Sequence, residues 1–248
     1  MSRKYVYGVH GVREALLAGN RVSRLYLAKE SRAKEAAELI DLARERGVRF
    51  DFAPQAKLNE LADTREHQGV VAAVSPIDYV SLEACLATCP PKAVLLALDQ
   101  VQHPRNLGMI LRTALGAAAH AALLPERGGA LVDEEVVRSS AGAVFHMPVV
   151  NAGNLANALR ALRDEGFWIF GLDGDAEQSL FDAPWPDRVV LVMGNESKGL
   201  RPGVRRVCDA FLRIPIDPRL ESLNVAVSAG IALFAAANAH GALTAQPK

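Results

Sequence analysis

The sequence predicts an α/β protein in two parts: a small N-terminal α/β unit over 1–75, then a larger, mostly parallel sheet covered by helices over 92–248, joined through 76–91. Three observations predict this. Strand-like and helix-like stretches alternate along the chain, the pattern of a parallel sheet with helices on both faces. One strand signal, AVLLALD (93–99), is a near-continuous apolar run, as strands buried on both faces are. Two adjacent prolines in CPPK (89–92) cannot continue a helix and mark the connection between the parts.

In the first part, VSRLYLA (22–28) is a strand rich in β-formers. Ser31 is an N-cap candidate for a helix in which Ala36, Leu39, Ile40 and Ala43 repeat at helical spacing until Gly47 stops it. VRFDF (48–52) and GVVAAVS (69–75) are the next strands. After a weakly helical stretch in 76–91, the second part opens with strand 93–99 and a helix through LGMILRTALGAAA. Strand HAALL (120–124) and helices near 134–140 and 155–165 follow. FWIFGLD (167–173), RVVLVMG (188–194) and FLRIPI (211–216) are strand-like, and an apolar helix over about 223–239 closes the chain.

Composition narrows the function. Half of the 248 residues are hydrophobic and 23% are charged, which excludes a disordered or collagen-like chain. With 28 Lys and Arg against 28 Asp and Glu, a uniformly basic nucleic-acid coat is excluded, although residues 1–75 carry 13 basic against 10 acidic residues. Cys85 and Cys89 are spaced for one helix face, but with no second Cys/His pair nearby a metal site is unsupported, and the three cysteines fit buried thiols in a reducing compartment. The N-terminus lacks an apolar core of signal-peptide length, and no window approaches a membrane span, so a cytoplasmic location is expected.

Ligands of open α/β sheets bind beyond the carboxyl ends of the strands. Three such ends carry polar clusters: LDQVQHPRNLGMILRTA (98–114), VMGNESKGL (192–200) and IPIDPRLESLNVAVSAGI (214–231). None holds a dinucleotide fingerprint or a P-loop. Arg112 lies in an apolar helical stretch, where a buried charge needs a partner or a ligand; capping of nearby carbonyls or pairing with Glu196 would also satisfy it. Ser222 and Asn224 open the last helix and fit N-caps as well as site residues.

In order and spacing, the three clusters resemble the motifs of the SpoU/TrmH family of RNA ribose 2′-O-methyltransferases: Asn–x5–Arg (106–112), MG-x-E-x-x-G (193–199) and SLN-x5-G (222–230). HQGVVAAVSP (67–76) and YGVHGVREAL (7–16) look like that family's N-terminal RNA-binding domain, with Arg3, Lys4, Arg13, Arg21, Arg24 and Arg32 as phosphate contacts. The layout is most similar to members that methylate a guanosine of 23S ribosomal RNA. The resemblance implies a C-terminal trefoil knot, dimerisation through the catalytic domain with the site near the dimer interface, S-adenosylmethionine as methyl donor and no metal. It implies a donor pocket at Met193, Gly194, Asn195, Gly199, Ile214, Ile216, Leu223 and Asn224. It also implies that Arg112 acts at the ribose hydroxyl, with Asn106, Ser222 and Asn224 in support and Glu196 organising its loop and orienting Arg112. An arginine is a poor base because its pKa exceeds about 12, so a fixed cation stabilising the forming alkoxide is the favoured role.

Two features depart from the pattern. His103 precedes Pro104 where relatives often have Asp, and segment 217–221 (DPRLE) sets two acids beside the expected RNA path. A transfer-RNA substrate, a non-catalytic RNA-binding paralogue and an unrelated oxidoreductase are the alternative readings; the five motif residues weigh against the second, and the missing glycine fingerprint against the third.

Overall fold

The computed structural model describes residues 5–17, 22–28, 33–74 and 77–243. The N-cap candidate Ser31 and the proposed phosphate contacts Arg3, Lys4, Arg21 and Arg32 lie outside the described residues. Two compact units form: residues 1–79 with 131–133, and residues 80–130 with 134–248. The 76–91 segment is therefore shared. From Val80 it belongs to the second unit, where Val80 forms a parallel bridge with Val150.

The first unit is a four-stranded sheet in the order β1-β4-β2-β3, from β1 (Tyr5–Tyr7), β2 (Val22–Ala28), β3 (Arg49–Ala53) and β4 (Val70–Val74). β4 runs antiparallel to β1 and β2, and β2 and β3 are parallel. Strand alternation sends Leu25, Leu27, Val70 and Ala72 to one face. There they pack on Val12 and Leu16 of α1 (Val9–Leu17) and Leu39 and Ala43 of α2 (Ala33–Glu45). Ala28, Ala53 and Val71 meet Leu58 of α3 (Gln55–Ala62) on the other face. The HQG turn is structural: buried His67 bonds Asn59 Oδ1 through Nε2 at 2.8 Å and accepts from the Gly69 N–H through Nδ1 at 3.0 Å. Gln68, at φ 54°, accepts from the Val9 N–H at the start of α1, so the two N-terminal motifs meet in space.

The second unit is a seven-stranded sheet, every neighbouring pair parallel. Its order is β7-β6-β5-β10-β8-β11-β9: β5 (Ala93–Leu98), β6 (Ala121–Leu124), β7 (Val149–Asn151), β8 (Trp168–Leu172), β9 (Gln178–Ser179), β10 (Arg188–Met193) and β11 (Ala210–Arg213). Ala93, Leu95 and Ala97 of β5 join the layer that includes α4 (Leu82–Ala87), α7 (Leu155–Asp164) and α8 (Pro202–Arg205). On the other face α9 (Val225–Ala239) packs on β5, β10 and α5 (Pro104–Gly116), and α5 in turn on α6 (Glu134–Ser139). The α5–α6 approach requires Gly108, where a Cβ would lie 2.0 Å from Ser139 Oγ.

Three expectations need correction. FLRIPI does not stay in the sheet, which ends at Arg213; Pro215 has no N–H to give a ladder, and Ile214 and Ile216 turn to a cavity instead. Cys89 lies past the end of α4, so it does not share a helix face with Cys85. Both cysteines pack in the apolar layer, and burial pushes the Cys85 thiol up to about 11 and that of Cys208 to about 12. Finally, Arg112 is exposed on the outward face of α5 rather than enclosed, because Leu107, Gly108, Ile110, Leu111 and Ala114 form the buried face. No helix among the described residues is long and apolar enough to cross a membrane.

Candidate active site

The carboxyl ends of β8, β10 and β11 come together, and a cavity of about 420 Å³ opens there. Met193, Gly194, Asn195 and Gly199 line it from the loop after β10, and Ile214, Ile216, Ser222 and Leu223 from the segment after β11. Glu196 is on its wall too. The sequence offered no signal for a further strip, Leu172 to Asp175 after β8, with Leu212 and Val225 below.

The loop after β10 is shaped by its backbone. Asn195 and Gly199 exchange N–H···O bonds of 3.0 and 2.9 Å, and Gly199 sits at φ 62°. A Cβ on Gly194 would lie 2.5 Å from the Gly199 carbonyl carbon, so only glycine closes this turn. Asn195 Oδ1 accepts from the N–H groups of Ser197 and Lys198, and its Nδ2 donates to the Gln100 carbonyl at 3.1 Å. Asn195 thus knits the loop and ties it to the end of β5.

A second tie went unseen in the sequence. Asp99 is fully buried, and its carboxylate accepts from the Arg201 backbone N–H at 2.8 Å and from Arg201 Nε at 2.6 Å. Its own N–H donates to the Met193 carbonyl at 2.7 Å. A single residue at the end of β5 therefore holds both ends of the loop after β10, one through its backbone N–H and the other through its carboxylate.

The three motif loops meet through side chains. Asn224 caps α9, its Oδ1 accepting from the Ala226 N–H at 2.8 Å. Its Nδ2 donates to Asn106 Oδ1 at 3.3 Å, and Asn106 Nδ2 donates to Glu196 Oε1 at 2.8 Å. Asn224 is outside the cavity wall and acts as the link between α9 and α5. Asn106 faces a neighbouring cavity with Glu196. Arg112 lines neither cavity and has no hydrogen bond or ion pair among the described residues, so within one chain Glu196 engages Asn106 rather than Arg112.

The charges around the larger cavity favour a cationic, partly apolar ligand. Asp173, Asp175, Glu196 and Glu221 stand against Lys198 and Arg205. Arg205 is already paired with Asp173 and lies 4.3 Å over the Phe211 ring. Burial of the Asp173 carboxyl opposes ionisation, but hydrogen bonds from Arg205 and the Asp175 N–H outweigh it and hold the group below its ordinary range. Of the two acids in 217–221, Asp217 is held low by Arg219, which binds it through both Nε and Nη2. In the first unit, Arg24 lies 3.5 Å from Asp51, while Arg13 is exposed.

Comparison with known proteins agrees with this geometry. Residues 93–234 match the SpoU rRNA Methylase family, and residues 5–80 match the domain described as RNA 2′-O ribose methyltransferase substrate binding. The chain is 37% identical to a 23S rRNA (guanosine-2′-O-)-methyltransferase RlmB of a Burkholderia species, covering 94% of this chain and 95% of that one. It is 32% identical to the putative TrmH family tRNA/rRNA methyltransferase YacO of Bacillus subtilis, over 93% of both. The crystal structure of the SpoU methyltransferase AviRb from Streptomyces viridochromogenes, in complex with AdoMet, is similar at a TM-score of 0.60 and 26% identity, covering 96% of this chain and 90% of that one.

Proposed function

We propose that this chain, which belongs to the SpoU rRNA methylase family, methylates the ribose 2′-hydroxyl of a guanosine in 23S ribosomal RNA. S-adenosylmethionine is its methyl donor. The observation that carries the reading is the bonded series Asn224–Asn106–Glu196 beside a cavity whose walls suit that donor. The relative named for 23S guanosine methylation, matched along nearly its whole length, supports the finer substrate.

In this reading Met193, Ile214, Ile216 and Leu223 enclose the adenine, the Gly194–Gly199 backbone contacts its polar edge, and the acidic rim faces the cationic centres. When bound, the donor supplies the electrophilic methyl carbon. Asn106 and Ser222 orient the ribose and its phosphate, and Asn224 fixes Asn106. Glu196, its Oε1 held by Asn106, presents its remaining oxygen to the incoming RNA. Holding the hydroxyl oxygen in line with the methyl carbon is the main task, since a neutral hydroxyl is a weak nucleophile.

Arg112 sits six residues beyond Asn106, about 9 Å along the helix at 1.5 Å per residue, and faces outward. In this reading it serves a site that a second copy of the chain completes, stabilising the forming alkoxide there as a fixed cation while the hydroxyl proton passes to solvent and the donor leaves as S-adenosylhomocysteine. Exposed Met109 on α5 and Val227 and Phe234 on α9 supply an apolar face for that homodimer. The C-terminal knot belongs to the same reading: β10 lies between β5 and β8, and β11 between β8 and β9, an order in which later strands enter among earlier ones. Residues 1–75 bind the RNA.

Mapping ribose methylation in ribosomal and transfer RNA, with and without the gene, tests the proposal. Loss of one 23S guanosine methylation is expected. Loss at a transfer-RNA site instead would overturn the substrate, and no loss anywhere would overturn the activity in the cell.

A further inference from the structure

A second cavity, of about 340 Å³, lies beyond the end of β5 and shares Asn195, Glu196 and Lys198 with the methyl-donor cavity. Every side chain lining it is polar: Gln100, Gln102, His103, Asn106, Asn195, Glu196, Ser197 and Lys198. We propose that this cavity receives the base of the nucleotide being methylated, a guanine, and that Gln100 is the residue that reads it. The inference rests on the methyltransferase reading above.

Position supports it first. A ribose placed at the shared wall, with its 2′-hydroxyl toward the donor, carries its base into the adjoining space. The polar lining suits a base edge and not the apolar parts of the donor.

Gln100 supplies the second observation. Its φ of 65° is in the left-handed region, where glycine is at ease and a side chain is strained. Its carbonyl is pinned by Asn195 Nδ2 at 3.1 Å, and the next carbonyl, of Val101, by the Ala130 N–H at 2.7 Å. Its side chain lies against Gly128, where a Cβ would stand 3.0 Å from Gln100 Nε2. Gly128 is itself at φ 84°. Yet the Gln100 amide has no hydrogen-bond partner among the described residues. One strained backbone position, held by its neighbours, thus fixes a side chain whose amide bonds to nothing among the described residues, which is what a reading group requires. Strain held by its surroundings is a recurrent property of functional sites.

The chemistry selects the base. A glutamine amide offers one acceptor and two donors side by side, matching the N1–H and O6 of guanine on one edge; turned over, it matches the amino group and a ring nitrogen of adenine, so the amide and Lys198 select guanine together. Lys198 adds donors, and a cationic donor pairs best with guanine, whose O6 and N7 are both acceptors; adenine presents an amino donor there instead.

Gln100→Gly and Gln100→Asn in the full-length chain test the assignment, each assayed with target RNA carrying guanosine, inosine or adenosine at the methylated position. Gly relieves the left-handed strain, so the variant should fold and unfold at an equal or higher temperature. Its affinity for S-adenosylmethionine should be unchanged. Its kcat/KM on guanosine should fall on the order of 10- to 100-fold, as loss of a bidentate base contact does, and its preference for guanosine over adenosine should shrink in parallel. Asn tolerates the backbone, but its amide is one methylene shorter, so it too should lose discrimination. Wild-type activity and an unchanged guanosine-to-adenosine ratio in Gln100→Gly would overturn the inference alone. A wild-type protein that methylates no RNA ribose would overturn the methyltransferase reading, and the inference with it.

Discussion

Asp99 and Arg201 offer the sharpest test of how the site is held. The carboxylate has no exposed surface, accepts two hydrogen bonds from one residue and faces a guanidinium whose side chain is 37% exposed. In Asp99→Ala the Arg201 side chain can turn to water, so its charge is not stranded, but the Arg201 N–H loses its acceptor. An unsatisfied buried donor costs about 1–3 kcal/mol, and breaking a buried pair about 3–5 kcal/mol. Because one partner can rehydrate, the lower end applies, about 3 kcal/mol. At roughly 2–4 °C per kcal/mol for a domain of this size, the second unit should unfold about 6–12 °C lower. Asp99→Asn keeps one acceptor but turns a donor toward Arg201, so about 2 kcal/mol is expected. Arg201→Lys retains the backbone bond and should fall between wild type and Asp99→Ala. The same pair closes the loop lining the donor cavity, so S-adenosylmethionine should bind about tenfold more weakly in Asp99→Ala, equivalent to ~1.4 kcal/mol. Thermal unfolding and titration calorimetry on the same preparations measure both. Midpoints within about 2 °C of wild type for both Asp99 variants would show that the pair does not organise this loop, and the reasoning from burial would fail.

Other outcomes follow from single groups. Arg112→Ala should lose on the order of 10²–10³ in methyl transfer at saturating RNA with unchanged donor affinity, and Arg112→Lys should also fail because an ammonium lacks the guanidinium fork; full activity in Arg112→Ala would remove Arg112 from the chemistry. Asp173 is held low when folded, so its contribution is complete above the ordinary aspartate range and is lost as pH falls through the folded value. Asp173→Asn should therefore be less stable than wild type at pH 7, by at most about 1 kcal/mol because Arg205 is half exposed, and the gap should close as acid protonates the folded Asp173; a gap that does not narrow in acid would point to lost packing instead. With thiols pushed up to about 11 and about 12, Cys85 and Cys208 should resist Ellman's reagent at pH 8 until the chain is denatured, leaving Cys89 as the native reactive thiol; fast labelling of three thiols would contradict the burial.

What was legible in the sequence follows the reach of local signals. Val22–Ala28 and Ala93–Leu98 carry their strand identity in β-branched and apolar runs, and both form as expected. Tyr5–Tyr7 and Val149–Asn151 are three residues each and become strands only by pairing, with β4 and β6 respectively, so no local pattern announces them. The site divides the same way. Met193, Gly194, Asn195, Gly199, Ile214, Ile216 and Leu223 are placed together because they lie at the ends of β10 and β11, the two strands that flank β8. Asp99 was hidden because a carboxylate closing an apolar strand looks like the first residue of a loop; only the fold shows it buried under Arg201. Arg112 misled because an arginine among apolar residues suggests enclosure, whereas helical periodicity turns it outward together with Arg105 and Met109.

The neutral composition also acquires a physical meaning. Arg201, Arg205 and Arg219 stand near the site, yet each is bound to an aspartate: Asp99, Asp173 and Asp217. Arg24 and Lys92 are likewise matched, to Asp51 and Asp187. These five cations are therefore spent on the architecture of the chain. Lys198 on the cavity wall, Arg105 and Arg112 on the outward face of α5, and exposed Arg127, Arg160, Arg206 and Arg213 have no ion-pair partner among the described residues. Each unpaired cation that meets a phosphate displaces about one counterion, so RNA binding by the second unit should weaken steeply with salt, while phosphate contacts carry no sequence information. Such binding places the burden of substrate choice on geometry. An exposed arginine serves a partner's site only if two copies are in register, and a strained glutamine reads a base only if the ribose is already seated. In this arrangement reaction requires several independent fits at once, the condition under which one nucleotide among many with the same ribose can be chosen.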